Sequence, residues 1–484
     1  MENFDITLIT RRSIRGIFAL TSRTFTIQIV SFIANLLLTI FLSPQAFGVF
    51  FVVSAAIAFF SYFSDIGLAA ALIQKKEPIT QDDLQTTFTI QQVLVIAIVI
   101  ISLFLSGFIT SFYRLNSEGT LLFQALVISF FLSSLKTIPS IILERSLHFE
   151  KLVIPQIVET LVFSITSVVL AVNGFGITSF TIACVARGIS GVIAIYIINP
   201  WKISLGFSKE SAKKLLSFGI PFQGNSFLAL IKDDLLIAYI GRVLPLAQVG
   251  YIGFAQKWAF TPLRLIMDNV IRITFPSFSR LQEEKDALSK AIEKSIFAAC
   301  FFIFPSLAGL VILSPYFIHL IPKYIKWEPA IISLSFFALN AAFSSVSTPL
   351  TNAMNAIGKI KITLYLMIFW TCATWILTPI AISHFGFNGV SMASAFISLS
   401  TVAVIFIVKK YIKFNVFRVV SYPLLATLIM GIVLYFTASF VITDFLTLIV
   451  MIVGGAILYF VTMLLLAKKQ IIADVRLIKE NLSK

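Results

Sequence analysis

Charge is what this sequence has least of. Of 484 residues only 12% are Asp, Glu, Lys or Arg, and just 22 are acidic, whereas a soluble domain carries about 25% charged residues. A water-soluble fold needs polar surface over its core, so this shortage excludes one. Histidine and cysteine are scarce as well, with three of each. His148, His319 and His384 fall at the ends of apolar runs or in turns, without ligand spacing. Cys184, Cys300 and Cys372 lie inside apolar runs and read as small packing residues. A disulfide framework and a metal centre are therefore not expected. Missing too are H-E-x-x-H, G-x-S-x-G, a P-loop and a D-x-D loop. The expectation is a carrier without cofactor or metal, and not an enzyme. The polar, basic stretch Met1–Gly16 leads into a long apolar run with no A-x-A-like cleavage site, so it is read as retained. The longest polar segments, around 199–214 and 276–290, are shorter than about twenty residues, too short for a folded domain outside a bilayer.

What fills the chain is apolar: 58% hydrophobic residues, 49 of them Phe, and a mean hydropathy of +0.98. Windows bounded by charge, Pro and Gly predict about fourteen transmembrane helices. They lie within 17–42, 47–73, 86–112, 120–143, 153–172, 177–198, 215–240, 248–275, 291–319, 329–355, 361–383, 388–408, 419–441 and 445–467. Helices are preferred to barrel strands because the runs are continuously apolar and lack a period of two. The fold class expected is an all-α integral membrane protein.

The net charge of +15 resembles a nucleic-acid signal until it is mapped. With the N-terminus in the cytoplasm, the inner segments collect roughly 26 of the 37 Lys and Arg, as the positive-inside bias requires. Arg114, Arg242, Lys323 and Lys326 are left for the outer turns. The basic balance thus reports topology and contact with anionic lipid heads, and nucleic acid is not needed. Both termini are expected on the cytoplasmic side of the membrane.

Two short strings recur. Pro44-Gln45-Ala46-Phe47-Gly48 is echoed by Pro245-Leu246-Ala247-Gln248-Val249-Gly250, and Gly174-Phe175-Gly176-Ile177 by Gly386-Phe387-Asn388-Gly389-Val390. Partners are about 200 residues apart with six predicted spans between them, an even number, so the copies share one orientation, as in a parallel repeat. This predicts a cytoplasmic N-terminus (1–16), a six-helix lobe (17–200), a cytoplasmic loop (201–214), a second six-helix lobe (215–410), two added helices (419–467) and a cytoplasmic tail (468–484).

A dozen charges remain inside predicted spans. Each ion costs at least about 2.5–3.5 kcal/mol at the bilayer centre, so they must pair or face a wet cavity. The basic ones are Arg23, Lys136, Arg187, Lys232, Lys257, Arg264 and Arg272, accompanied by Asp65, Glu159, Asp233, Asp234 and Asp268. Lys257, Arg264, Asp268 and Arg272 follow at intervals that place them on one helical face. An intramembrane cavity made partly of guanidinium groups suits an anionic, phosphate-bearing substrate, because Arg gives bidentate donors and stays charged when desolvated. Arg23, Lys136, Arg187, Lys257, Arg264 and Arg272 are the candidate substrate-binding residues. For Arg23 and Arg272 a snorkelling or structural pairing stands beside that role. Asp65, Glu159, Asp233, Asp234 and Asp268 are candidates for ion coupling or charge pairing, Asp268 as a neutraliser of Arg264 and Arg272.

Several strings resemble the polysaccharide exporter, or Wzx-type oligosaccharide flippase, family of the multidrug/oligosaccharidyl-lipid/polysaccharide flippase superfamily, and most of all its colanic- and teichuronic-acid exporters. They are Leu42–Phe50, Asp65-Ile66-Gly67-Leu68, Ala71–Lys76, Glu144–Phe149, Phe218-Gly219-Ile220-Pro221, Gly241–Lys257, Phe275–Leu281 and Lys326–Ala330. A departure is Pro245, where the family's turn usually carries Gly. The resemblance implies two six-helix lobes around a cationic cavity and translocation of an undecaprenyl-diphosphate-linked oligosaccharide for surface polysaccharide synthesis. It implies an ion gradient (proton or sodium) or the membrane potential as driving force, and polymerase or glycosyltransferases as partners besides membrane lipid. A lipid-linked peptidoglycan precursor flippase, an ion-coupled exporter of small molecules and a membrane polysaccharide polymerase are the alternatives.

Overall fold

The computed structural model describes residues 26–75, 77–224 and 227–482; the N-terminal segment and Arg23 lie outside them. The described chain is built of helices, because a backbone in hydrocarbon must satisfy its own hydrogen bonds. Up to Gly250 they are α1 (Thr26–Phe41), α2 (Pro44–Tyr62), α3 (Leu68–Gln74), α4 (Gln81–Phe104), α5 (Ser106–Phe112), α6 (Ser117–Leu135), α7 (Thr137–Arg145), α8 (Phe149–Val172), α9 (Thr178–Ile198), α10 (Lys209–Gly224), α11 (Phe227–Lys232) and α12 (Asp234–Val243). After them come α13 (Leu246–Arg280), α14 (Lys285–Leu320), a 3-10 turn (Pro322–Trp327), α15 (Ala330–Ala356), α16 (Ile360–Phe385), α17 (Asn388–Ser398), α18 (Thr401–Lys409), α19 (Val416–Val441) and α20 (Phe445–Leu482).

Among the described residues, 11 helices are long and apolar enough to cross a membrane, and each coincides with a predicted span. The other three predicted spans differ for identifiable reasons. The span at 17–42 is described only from Thr26. The one at 215–240 is divided into α10, α11 and α12. The one at 248–275 is continuous within α13, but its four charges depress its hydropathy. Four further spans are interrupted without being lost, among them 86–112, where Leu105 separates α4 from α5, and 388–408, where α17 gives way to α18. Ile66 (φ 47°) and Gly67 (φ 74°) break the helix between α2 and α3 in left-handed conformations, and Lys136 separates α6 from α7. Of the cysteines, Cys184 and Cys300 are buried, but Cys372 is exposed, so it serves the outer face of α16 and not the interior.

The helices group into two compact units, one ending at Gly250 and one beginning at Tyr251. In the first, the repeated turn packs against its own copy. A Cβ on Gly48 would lie 1.7 Å from the Leu246 carbonyl oxygen, and one on Gly250 would lie 1.9 Å from that of Pro44. Each string thus supplies a glycine at the point where the other's backbone arrives, the close approach that small residues permit between membrane helices. At the other end of α2, Tyr62 and Gln223 exchange side-chain to backbone hydrogen bonds, 2.5 Å from the Tyr62 hydroxyl and 2.8 Å from the Gln223 amide.

A three-helix arrangement occurs in both units. In the first, α8 pairs with α9, which packs on α6; in the second, α16 pairs with α17, which packs on α15. Both hairpins turn on left-handed glycines, Gly174 and Gly176 in one and Gly386 in the other. Even a polar link recurs. Ser129 on α6 donates to the Cys184 carbonyl of α9 at 3.1 Å, and Asn340 on α15 donates to the Ser394 carbonyl of α17 at 2.8 Å. In the second unit the 3-10 turn is anchored by Trp327, fully buried and stacked on Phe254 at 4.4 Å. There α19 and α20 cover α14 through Val419, Met430, Leu434 and Met463, with the Tyr459 hydroxyl donating to the Phe301 carbonyl at 2.8 Å.

Arg145, the last residue of α7, clamps the end of α3. Its guanidinium donates to the carbonyls of Leu72 (2.7 Å), Lys75 (2.6 Å) and Glu77 (2.6 Å), groups that the helix end leaves without intrahelical partners. Beside it Lys75 pairs with Asp83 at 2.5 Å, and Asp83 closes a capping box with Thr80. Arg145→Ala should therefore loosen the 75–80 connection by about 1–3 kcal/mol, seen as faster tryptic cleavage there. Arg145→Lys, lacking the fork, should rescue only part of the protection.

Candidate functional site

Three of the predicted site residues meet in the first unit, and the local sequence explains how. Pro139 has no N–H to give to Leu135 four residues back. The freed Leu135 carbonyl accepts the Tyr196 hydroxyl at 3.1 Å instead, while Asn199 donates to the Pro139 carbonyl at 2.8 Å. The proline kink is thereby stitched to the end of α9, and Lys136 sits in the kink. From there its ammonium reaches Glu159 on α8 in a direct ion pair. The other carboxylate oxygen faces Arg187 of α9, with Nε at 3.5 Å.

Glu159 fits between the helices because residue 191 is glycine: a Cβ there would lie 2.1 Å from the Glu159 Oε1. The Glu159 side chain is 11% exposed, that of Lys136 16%, and that of Arg187 55%. Two cations thus share one anion in a poorly hydrated place, leaving one positive charge in excess. Apart from the Nε contact, the Arg187 guanidinium has no hydrogen-bond partner among the described residues, so its outer fork is available. All three side chains line a cavity of about 400 Å³ with Ser140, Gln156 and Thr160, within the usual size range of ligand sites. The Gln156 Oε1 is buried without a hydrogen-bond partner.

The predicted stripe on α13 is also present. Lys257, Arg264, Asp268 and Arg272 are all exposed, so a single face of that helix carries three cations and one anion in the second unit. The remaining acids occupy local positions. Asp65 accepts the Ala69 N–H at 3.2 Å and so caps the start of α3. Asp233 pairs with its neighbour Lys232 at 3.2 Å at the break between α11 and α12, and Asp234 lies in the first turn of α12, where the helix dipole favours an acid. His319 closes α14, with its Nδ1 2.7 Å from the Pro315 carbonyl. Among the described residues no three His, Cys, Asp or Glu side chains gather as metal ligands would.

Two participants escape a reading of the sequence. Gln156 precedes Glu159 by three residues and so shares its helical face, a signal that was available. Gly191 follows Arg187 by four, but that it makes room for an acid from another helix is visible only in three dimensions.

Residues 37–332 match the family described as "Polysaccharide biosynthesis protein". The chain is 25% identical over 350 residues, 70% of this chain and 70% of the relative, to a membrane protein in the cps region of Klebsiella pneumoniae. It is 23% identical over 339 residues to the lipopolysaccharide biosynthesis protein WzxC of Escherichia coli, covering 67% of this chain and 66% of that one. Among solved structures, the lipid II flippase MurJ in an inward closed conformation aligns with a TM-score of 0.76 over 93% of this chain and 99% of that chain, at 18% identity, a likeness of fold. The family match, the helical build and the fold agree: this chain is a multi-pass membrane protein and belongs to the polysaccharide biosynthesis protein family.

Proposed function

We propose that the protein carries an undecaprenyl-diphosphate-linked oligosaccharide repeat unit from the cytoplasmic to the outer leaflet by alternating access, as a flippase and not an enzyme. The observation that carries this reading is the excess of cation inside the helices. The Lys136–Glu159–Arg187 cluster opens on a cavity, and α13 displays Lys257, Arg264 and Arg272. An anionic headgroup gives such charges a reason to stay within helices, where each is unfavourable unless compensated. A cationic cargo does not. Membership of a polysaccharide biosynthesis family supports a saccharide on that headgroup, and the resemblance to Wzx-type exporters supports the polyprenyl carrier.

The same reading takes the chain as fourteen spans, with α10 to α12 and α13 supplying the seventh and eighth, and with two six-helix repeats (17–200 and 215–410) followed by the added pair at 419–467. Both termini face the cytoplasm, as the basic inner segments require. Export of an anion is favoured by a membrane potential that is negative inside, with Glu159 as the acid placed to respond to a coupling ion.

Deleting the gene in its native host should stop export of the surface polysaccharide and cause the lipid-linked repeat to accumulate in the inner leaflet, with rescue by the intact gene. The headgroup on the accumulated lipid identifies the substrate. A peptidoglycan precursor there, or normal export, would refute the oligosaccharide assignment.

A further inference from the structure

We propose that residues 203–207, expected from the sequence as part of a cytoplasmic loop, form a strap set into the membrane interface, with Ile203, Leu205 and Phe207 among the acyl chains of anionic phospholipid. The inference goes beyond the transport reading and does not depend on the cargo. The segment alternates, apolar at 203, 205 and 207 and Ser or Gly at 204, 206 and 208, the period of an extended chain with two unlike faces. Its polar face is seated on α4. Gln85 donates to the Ser204 hydroxyl at 3.1 Å, and the backbone N–H groups of Gly206 and Ser208 donate to the hydroxyls of Thr89 (3.1 Å) and Thr86 (2.9 Å). Glycine permits this approach, since a Cβ at 206 would lie 2.4 Å from Gln85 Oε1. The other face is open: Ile203 is 52% exposed, Leu205 73% and Phe207 66%.

What covers that edge follows from the helix beneath it. Gln85 and Thr89 share a face of α4 with Val93, Ile96 and Ile100, which are exposed on a stretch, Val93–Ile101, that has no polar residue. Such a face of a membrane span is covered by lipid. The strap thus shields the polar first turns of a face that lipid covers beyond them, and its apolar edge continues the lipid-facing surface. Thr89 lies about 12 Å along α4 from its start at Gln81. The strap therefore stops where the apolar run begins, and irregular backbone is kept out of the hydrocarbon itself. Lys202 and Lys209, both exposed, bracket the apolar residues, so their stems can lie along apolar surface while the ammonium groups reach lipid phosphates. Trp201, edge-on to Phe88 with ring centroids 5.0 Å apart, is a residue type that membrane interfaces concentrate. A protein partner fits less well, because the cores of protein interfaces are depleted in lysine.

The test uses the full-length protein in lipid nanodiscs, with Cys372→Ser so that only the buried Cys184 and Cys300 remain. A nitrobenzoxadiazole label is placed on Leu205→Cys and, separately, on Phe207→Cys. Phospholipid brominated near the glycerol end of its acyl chains quenches labels that touch those chains. Quenching at 205 and 207 should match that of a label on Val93→Cys, on the lipid-facing stripe, and far exceed that on Lys213→Cys, which is exposed on α10. At equal mole fraction, brominated phosphatidylglycerol should be enriched at the label over brominated phosphatidylcholine by up to about fivefold per lysine. Lys202→Gln combined with Lys209→Gln should abolish that preference. Absence of quenching at both positions would overturn the inference. With rapid alkylation of the unlabelled cysteines by a membrane-impermeant maleimide, the edge would be a free surface suited to a protein partner; with protection from it, the edge would be covered by this chain or a second copy. Equal quenching by the two lipids would overturn the part given to the anionic headgroup. Each outcome leaves the assignment of the cargo untouched.

Discussion

Gly250→Ala and Gly48→Ala, each the addition of a single methyl group, should lower the thermal midpoint of the detergent-solubilised protein by roughly 3 °C. The reason lies in what the new Cβ meets. At Gly250 it would be 1.9 Å from the Pro44 carbonyl oxygen and at Gly48 1.7 Å from that of Leu246, backbone atoms that cannot rotate away. The two helix starts must separate by more than an ångström, which forfeits their packing and places each variant near the top of the overpacking range, about 3 kcal/mol. Because both substitutions open one contact, the double variant should lose less than the sum of the singles. Gly309→Ala is the control. A Cβ there meets nothing within 4 Å, and alanine is the better helix former by about 1 kcal/mol, so its midpoint should hold or rise. Thermal unfolding followed by fluorescence-detected size exclusion reads all four. A midpoint unmoved at both Gly48 and Gly250 would show that the two turns do not pack this tightly.

That contact also indicates how far the sequence could be read. The recurrence of Pro44 to Gly48 at Pro245 to Gly250 was visible as a repeat because turn residues are sparse against an apolar background. That the copies touch was not, since a repeat shows likeness and not proximity. Spans were legible for a related reason: hydropathy summed over some twenty residues is a strong signal, and α14, α15, α16 and α19 lie where it points. The same summation hides short breaks. Phe63–Gly67, with only Ser64 and Asp65 polar enough to mark it, is averaged away by its apolar flanks, yet Ile66 and Gly67 take left-handed conformations against Gly219, where a Cβ on Gly67 would lie 2.3 Å from a carbonyl oxygen. In the candidate site the divide is between charges on one helix and charges on several. The exposed α13 stripe follows from spacing alone. Lys136, Glu159 and Arg187 come from a kink and two further helices, and neither their hydropathy nor their intervals reveal that they converge.

Convergence makes the consequences of single substitutions unequal, and this separates binding from stability. Lys136→Ala removes the closer partner of an acid that is only 11% exposed. Stranding a buried charge costs about 3–5 kcal/mol, so this variant should lose folded protein, and its loss of export would be uninformative. Arg187→Ala leaves Lys136 on Glu159 and deletes a side chain that is 55% exposed, so the thermal midpoint should change little. Export should nevertheless fall, because a hydrogen bond to a charged group contributes about 1.5–3 kcal/mol, equivalent to roughly a ten- to hundredfold loss of substrate binding. Arg264→Ala, on the exposed face of α13, should behave the same way. Arg187→Lys keeps the charge without the fork and should recover part of the activity. The measurement is polymer export in the deletion strain, with protein amount and thermal midpoint determined on the same preparations. Unimpaired export by both alanine variants at wild-type abundance would remove Arg187 and Arg264 from the binding site. Loss of export that always followed loss of folded protein would reduce the cluster to a structural ion pair. Loss of export with full stability at Arg187, set against loss of stability at Lys136, is the pattern that a cationic site with a built-in counter-ion requires.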